Sequence, residues 1–578
     1  MHLDVPAGMT DESATQDRIF ASLTDSSVHP DVRRIDTHAA SVFLDGKRAL
    51  KIKRAVRFPF LDYSTLEKRK ASCEEEIRIN RPLAPQIYRR VVAITEEPDG
   101  SVEVDGPGRP IEYAVEMSRF DESRTLDRLA KAGPREAKLA SAAADAIAAS
   151  HAAAARLGGE AWISSIPGLI DGNSRGLRTG GHFDAGGIER LGKASHEAFL
   201  RLRPLLAERG CQGFVRRCHG DLHLANIVLI DDQPVLFDAI EFDAQMATVD
   251  VLYDLAFTLM DLSHHDQLSA ANIVLNRYLA ATPADNLDAL AALPLFMSIR
   301  AAIRAQVALA RLKPPHSDDP DILHQAQRYF DLDGMLIHPH APRLIAVGGL
   351  SGTGKTALAQ ALAPLVAPAP GAVVLRSDLV RKQIFGVEDT HRLPPSAYTP
   401  EHAARVYDRL IQLARRVLAQ GHSAIIDGVF AREDERDAIA ELARESKGPL
   451  DGLFLAADLA TRQTRIASRR GDASDATQEV AALQERYNIG RVGWATIDAS
   501  GTQEQTLQNC RNAIAEGKQG NLIGAGKDGA IYHDLDGRSR HAGSPAQCPA
   551  RPSQPGHGLR YGVPDHRAPS PRCRPCPA

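Results

Sequence analysis

The run Gly349-Leu-Ser-Gly-Thr-Gly354-Lys355-Thr356 satisfies G-x-x-x-x-G-K-[ST] at every fixed position. The chemistry that spacing serves is nucleotide-phosphate binding. Gly349, Gly352 and Gly354 let backbone N–H groups, those of Ser351 and Thr353 among them, turn into one loop and cradle phosphate oxygens at the start of a helix. Lys355 is spaced to reach the β- and γ-phosphates, and the Thr356 hydroxyl to ligate Mg²⁺. Asp378, with Arg381 three residues on, follows a strand-like run at Ala372–Leu375, where a carboxylate accepts the proton of an acceptor hydroxyl. The plainer reading of that pair is a helix-start Asp with an i,i+3 Arg partner. Asp427 ends the run Ala424–Ile426 and is placed to hold Mg²⁺ through water, unless it is an ordinary Asp-Gly turn residue. Arg462, Arg465, Arg469 and Arg470 are spaced as a basic lid that neutralises a transferring phosphoryl group, with Arg465 and Arg469 as nucleotide contacts; a solvated helix face is the alternative.

A second constellation lies upstream. Cys218-His219-Gly220-Asp221-Leu-His223-Leu-Ala-Asn226 contains H-G-D-x-x-x-x-N, and Asp238 follows the Asn by twelve residues. Ile227–Ile230 and Val235–Phe237 read as two strands joined by a turn at 231–234, so Asn226 and Asp238 stand at the same open end of a hairpin. Two oxygen-bearing side chains therefore converge where Mg²⁺ can bind. Asp221, just before them, is placed to orient or deprotonate a hydroxyl. The alternative is structural: His219 and Asp221 brace a loop and Asp238 caps a turn.

Two kinds of scaffold must position these groups. At 578 residues the chain is too long for one ordinary core. Hairpin-like strands dominate the first hundred residues: Ser41–Leu44 and Ala49–Lys53 flank an Asp45-Gly46 turn, a helical stretch covers roughly Ser64–Asn80, and strands return at Tyr88–Thr95 and Glu112–Met117. Helical patterns then run to about Phe330, broken by a strand-rich block at Val215–Phe242. From Arg343, apolar strand-like runs alternate with helical ones, the signature of a parallel α/β sheet. The expected division is therefore 1–335, a linker at 336–342, 343–517, and a tail at 518–578 whose Pro/Arg/Ser/Gly composition implies disorder.

These residues carry two resemblances. Segment 343–517 resembles the small P-loop kinases of the polynucleotide-kinase, zeta-toxin and gluconate-kinase type: its Walker A run, the D-x-x-R of Asp378–Arg381, and the Arg-rich segment before Asp472 match their phosphate loop, acceptor motif and lid. Residues 15–330 resemble the aminoglycoside phosphotransferase family, which implies a protein-kinase-like α+β fold. That resemblance implies Asp221 as catalytic Asp and Asn226 and Asp238 as metal ligands. It further implies Lys51 (Lys53 as runner-up) as the strand lysine contacting ATP, Glu75 or Glu76 as its ion-pair partner, and Glu116–Phe120 as the adenine hinge. No G-x-G-x-x-G precedes the first hairpin, so the loop Asp36–Ser41 would cover the phosphates, and Gly220 stands where protein kinases carry Arg. The order of the two halves resembles bacterial bifunctional aminoglycoside phosphotransferase/ATP-binding proteins.

Composition narrows the remaining classes. A net charge of −4 argues against broad nucleic-acid or anionic-membrane binding. Residues 1–20 lack a signal-peptide h-region, and no uninterrupted apolar run reaches bilayer length. Sparse, irregular Cys73, Cys211, Cys218 and Cys510 suit a reducing cytoplasm, and Cys573 and Cys576 lack a second pair for zinc. The expectation is an ATP- and Mg²⁺-dependent phosphotransferase acting on small-molecule hydroxyls at two sites. The competing readings are a non-catalytic regulator in one half and a nucleic-acid end kinase in the P-loop half.

Overall fold

The protein is described by a computed structural model covering residues 9–25, 31–58, 61–133, 136–179, 181–312, 319–338, 340–469 and 471–516. The expected tail, Arg470, Cys573 and Cys576 lie outside these residues.

Alternating apolar positions early in the chain build a six-stranded antiparallel sheet. Its strands are β1 (Arg33–Asp36), β2 (Ala40–Asp45), β3 (Arg48–Lys53), β6 (Tyr88–Glu96), β7 (Val102–Val104) and β8 (Arg109–Ser118), in the order β1-β2-β3-β8-β6-β7. A two-residue pair, β4 (Arg57–Phe58) and β5 (Leu61–Asp62), precedes helix α2 (Leu66–Asn80). Helix α1 (Met9–Leu23) lays Ile19, Phe20 and Leu23 onto Phe43, Leu50 and Ile52. Helix α2 starts where the Thr65 hydroxyl accepts from the Lys68 amide, a side-chain N-cap. It packs Cys73 with Tyr88 and Val115.

A helical lobe follows: α3 (Leu126–Lys131), α4 (Ala137–Ala153), α5 (Glu160–Arg178), α6 (Ala185–Cys211), α7 (Val251–His264), α8 (Leu268–Ala281), α9 (Leu293–Leu309) and α10 (Pro320–Ile337). Between α6 and α7 lie four short strands, β9 (Val215–Arg217), β10 (Ile227–Ile230), β11 (Gln233–Leu236) and β12 (Thr248–Asp250). The β10–β11 hairpin forms across a two-residue turn, Asp231-Asp232, rather than the expected turn at 231–234: Ile230 lies opposite Gln233 and Ile227 opposite Leu236. A helical segment from Ala284 to Leu309 corrects one expectation. Its 26 residues are long and apolar enough to cross a membrane, but 78% of its apolar window is buried inside the fold. It is a core element of the lobe, and it carries Arg300 and Arg304.

The C-terminal half is a parallel sheet of β13 (Leu344–Gly349), β14 (Val373–Arg376), β15 (Ala424–Asp427), β16 (Leu450–Ala456) and β17 (Ala495–Asp498), in the order β14-β15-β13-β16-β17. Its helices are α11 (Lys355–Leu362), α12 (Ser377–Phe385), α13 (Pro400–Ala419), α14 (Glu433–Ser446), α15 (Leu459–Ala467), α16 (Gln478–Gln484) and α17 (Gln503–Glu516). The period of two along β13 sends Ile345 and Val347 to a layer with Leu358, Leu362 and Ile514, and Leu344 and Ala346 to the opposite layer. That opposite layer is continuous with the core of the helical lobe. An N-terminal kinase-like domain and a P-loop α/β domain are thus both present.

The edge strand β14 is closed by the N-terminal half. The Asn276 amide group of α8 accepts from Val374 N at 2.7 Å and donates to Ala372 O at 3.2 Å, extending the sheet by one side chain. Arg277 spans Asp145 and Asp389 at 2.7 and 3.1 Å, and Arg416 of α13 holds Asp288 at 2.6 Å.

Candidate active sites

In the N-terminal half, β3 sends Lys51 toward the β10–β11 hairpin. Its ammonium lies 2.8 Å from Glu76 and 2.6 Å from Asp238. Glu76 is fully buried, and its other oxygen pairs with Lys53 at 2.5 Å. Lys53 is buried behind this layer and also meets Glu241, which accepts from the Tyr63 hydroxyl at 3.1 Å. Burial alone would favour the neutral amine of Lys51, but Asp238 and Glu76 hold it charged, well above the usual lysine range. Glu75 is not the lysine's partner. It holds Arg78 at 2.5 Å on the helix surface, because one residue along a helix is a rotation of about 100°.

The loop bearing Asp221 is set by its backbone. Asp254 of α7 accepts from Gly220 N at 2.8 Å and His219 N at 3.2 Å, and Asp261 accepts from Leu224 N at 3.0 Å. Thr258 donates to Leu222 O at 2.7 Å. Sequence reasoning missed these three residues, although polar groups at i, i+4 and i+7 in an otherwise buried helix mark a face that reads another segment's backbone. His151, Cys218 and Asp254 cluster closely enough to suggest a metal site. His151 instead bonds Tyr278 at 2.8 Å and Asp254 at 3.1 Å, so the cluster is a satisfied hydrogen-bond set. Gly220 has φ +84°, and a Cβ there would come within 2.9 Å of Ala247 and 3.0 Å of Ile240, which accounts for glycine at this position.

Asp221 itself is half-exposed, and one oxygen is tethered. Asp221 Oδ2 lies 3.2 Å from Asn226 Nδ2 and 3.4 Å from His223 Nε2. Since His223 Nδ1 accepts from Ala225 N at 3.2 Å, the ring's proton sits on Nε2, directed at Asp221. Burial raises the Asp221 carboxyl, but the neighbouring His223 outweighs it and holds the group well below the usual carboxylate range. Asn226 commits its amide N–H to Asp221, which leaves its oxygen available. Asp238, at φ +63°, donates its backbone N–H to the Tyr88 hydroxyl at 3.1 Å. Asn80 clamps the next residue, accepting from Ala239 N at 2.7 Å and donating to Ala239 O at 3.1 Å. Carboxylate and amide oxygens here are hard donors of the kind Mg²⁺ takes. The loop Asp36–Ser41 closes as a tight turn, with Thr37 and Ala40 bonded at 2.8 Å.

In the C-terminal half, Gly349, Gly352 and Gly354 all adopt positive φ, as a phosphate loop requires. A Cβ on Gly352 would meet Arg462 O at 2.6 Å, so α15 packs directly beneath the loop. Lys355 folds onto Leu350 O at 3.2 Å, the Thr353 hydroxyl braces the same carbonyl at 2.8 Å, and Ser351 N donates to Gln484 at 2.7 Å. The Thr356 hydroxyl donates to Asp427 at 2.6 Å, so the two oxygen ligands expected for a metal already stand together. Burial, then the nearby Asp427, raise the Asp378 carboxyl.

Two expected groups point elsewhere. Arg465 donates to Ala499 O at 2.7 Å and Gly501 O at 2.8 Å, stapling α15 to the loop before α17. Burial lowers Lys355, Asp427 and Asp378 oppose it, and the charges of Arg469 and Arg462 add to it, although Arg462 is itself fully buried and donates to Ala481 O at 3.2 Å and to Glu485. Arg381 turns from Asp378 to donate to Ala397 O at 2.7 Å, with its guanidinium 4.6 Å over the Tyr398 ring. Lys382 instead meets Asp475 at 2.7 Å, and Arg376 meets Asp472 at 2.8 Å.

Residues 45–293 match the family model described as phosphotransferase enzyme family, and residues 344–488 match that of an AAA domain. An uncharacterised protein of Mycobacterium tuberculosis strain H37Rv is 30% identical over 492 residues, spanning 82% of this chain and 94% of that protein. A Mycobacterium bovis protein, also uncharacterised, gives the same figures. Similar solved structures include a choline/ethanolamine kinase family protein from Mesorhizobium loti, at 14% identity and TM-score 0.34 over 57% of this chain and 95% of that one. A gluconokinase from Sinorhizobium meliloti 1021 shows 18% identity and TM-score 0.23 over 30% of this chain and 93% of that one. The chain is a phosphotransferase that belongs to one family with these mycobacterial proteins, joining a phosphotransferase-family domain to an AAA-type P-loop domain.

Proposed function

We propose that this phosphotransferase has two separate Mg-ATP sites, each moving the γ-phosphoryl group to a hydroxyl of a small molecule. The observation that carries the reading is that Lys51 on β3, the loop of Asp221 and Asn226, and Asp238 after β11 come together, with Lys51 bonded to Asp238 and Asn226 to Asp221. In the N-terminal site, Asn226 Oδ1 and Asp238 would hold Mg²⁺, with Lys51 released from Asp238 to the α/β-phosphates. Bound there, the metal neutralises phosphate charge. With Asp221 Oδ2 tethered, Oδ1 is left to accept the acceptor's O–H and align its oxygen. Because the carboxyl is a weak base, it positions the hydroxyl first and takes the proton as the new O–P bond forms.

In the C-terminal site, Thr356 and Asp427 would hold the metal, Lys355 would swing from Leu350 O to the phosphates, and Asp378 would receive the acceptor. Arg376, which with Lys355 is a cation acting on Asp378, is paired with Asp472, and Lys382, one turn along α12, is paired with Asp475. That favours a small acceptor over a polynucleotide backbone. Cytoplasmic placement and a boundary at 336–342 belong to the same proposal.

The test is ATP consumption by Asp221→Ala and Lys355→Ala chains. Each variant should lose roughly 10²- to 10⁴-fold at its own site and retain the other. Loss of all turnover with Lys355→Ala alone would make the N-terminal half a non-catalytic partner.

A further inference from the structure

Two arginines behind Asp221 have no role in the reading above. Arg300 and Arg304 stand one turn apart on α9. Arg300 is more than nine-tenths buried, with its guanidinium 4.0 Å over the Tyr253 ring and 4.6 Å over that of Phe257. Phe257 meets His223 edge-on at 5.3 Å, and His223 touches Asp221, so one aromatic ring separates Arg300 from the site's own histidine. Arg304 lies 5.7 Å over the Tyr329 ring, whose hydroxyl donates to Asp261.

Arg300 Nη2 and Arg304 Nε are both buried and make no hydrogen bond. Charge pairing with the neighbouring carboxylates does not fill the gap. Asp254 already takes Gly220 N, His219 N and His151, and stands 3.9 Å from Arg300 Nη2. Asp261 already takes Leu224 N at 3.0 Å and the Tyr329 hydroxyl at 2.8 Å. Arg300 Nε reaches only Tyr253 O, at 3.4 Å. Buried guanidinium donors left open beside a reaction site are costly unless a ligand completes them. One open N–H on each of two neighbouring guanidinium groups suits an oxyanion.

We propose that the acceptor of the N-terminal site is an alcohol that also bears an oxyanion, a phosphate or a carboxylate, received by Arg300 and Arg304. The assignment rests on the phosphotransferase reading of this half and adds the charge class of its substrate.

The test is calorimetric titration of inorganic phosphate, and separately acetate, into the full chain saturated with Mg²⁺ and AMP-PNP, so that nucleotide phosphates already fill their own sites. Phosphate or acetate should bind, and the stronger of the two reports which oxyanion is taken. Arg304→Met and Arg300→Met should weaken that binding roughly 10-fold or more, and Arg304→Lys by less. Unchanged melting temperatures without anion would show the variants folded; if Arg300→Met melts early, Arg304→Met and Arg304→Lys decide the matter. Nucleotide binding with no anion binding, or with anion binding indifferent to Arg304→Met, overturns the assignment and leaves the phosphotransferase reading intact. Failure of Lys51→Met to weaken nucleotide binding removes the reading of this half, and this assignment with it.

Discussion

Glu76 is the keystone of the N-terminal lobe's buried charge. It lies between Lys51 and Lys53 at 2.8 and 2.5 Å with no exposed side-chain surface. Glu76→Gln keeps the shape and removes the charge. Stripping a buried ion of its only partner costs about 3–5 kcal/mol. Here Lys51 keeps Asp238 and Lys53 keeps Glu241, so about 2–4 kcal/mol is expected from that principle. Hydrogen exchange followed by mass spectrometry reads the loss locally, without requiring the whole chain to unfold in one step. Amides of β3 and α2 should exchange roughly 30- to 900-fold faster at ~1.4 kcal/mol per decade. Glu75→Gln is the control. Glu75 and Arg78 are 34% and 66% exposed, so its effect should stay within about 0.5 kcal/mol, roughly twofold in exchange. ATP KM should rise in the Glu76 variant alone, because Lys51 loses the group that aims it. Equal exchange in the two variants, or less than threefold acceleration for Glu76→Gln, would refute the reasoning.

Other perturbations follow from the same geometry. Gly220→Ala places a Cβ against Ala247 and Ile240 at φ +84°, so the loop carrying Asp221 must shift. Single-turnover kinetics should show kcat of the N-terminal site down at least about 10-fold, at a left-handed strain of roughly 1–2 kcal/mol. Asn276→Ala removes two of the three side-chain hydrogen bonds from α8 that close β14, leaving that of Asn272 to Ala372 O at 3.0 Å, and limited proteolysis should cut between the halves faster, in line with about 1–3 kcal/mol of lost docking. Burial raises the Asp333 carboxyl to about 8, against a single hydrogen bond from Ser298. Its folded value exceeds the unfolded ~3.9, so its contribution to stability is full below about pH 4 and is lost progressively as pH rises to about 8. Asp333→Asn should therefore melt close to wild type at pH 4 and above it at pH 8; a gap that shrinks with rising pH would contradict the sign.

Much of the fold was legible because its signals are local. The Asp45-Gly46 turn set the β2–β3 hairpin, and G-x-x-x-x-G-K-[ST] carries strand, loop and helix in eight residues. The hairpin argument for Asn226 and Asp238 needed only strand pairing, although the turn is two residues long, Asp231-Asp232, and not four. What failed was helical phase. Glu75 and Glu76 differ by a rotation that periodicity alone does not set when neighbours are charged, and Arg462 and Arg465 both turn to other partners. The longer-range contacts were invisible for another reason. Asn276 and Val374 are 98 residues apart, and nothing local marks an asparagine as the end of a sheet. The membrane-length helix misled in the opposite direction. Pro294, Arg300 and Arg304 break its apolar run in sequence without breaking its burial or its helix.

Counting bound nucleotide tests the central claim most directly. Titration of the full chain with Mg-AMP-PNP should give two sites in wild type, one in Lys51→Met and one in Lys355→Ala, with the survivor different in each. A single site in wild type, or loss of all binding from either substitution, would contradict two independent phosphoryl-transfer centres on one chain.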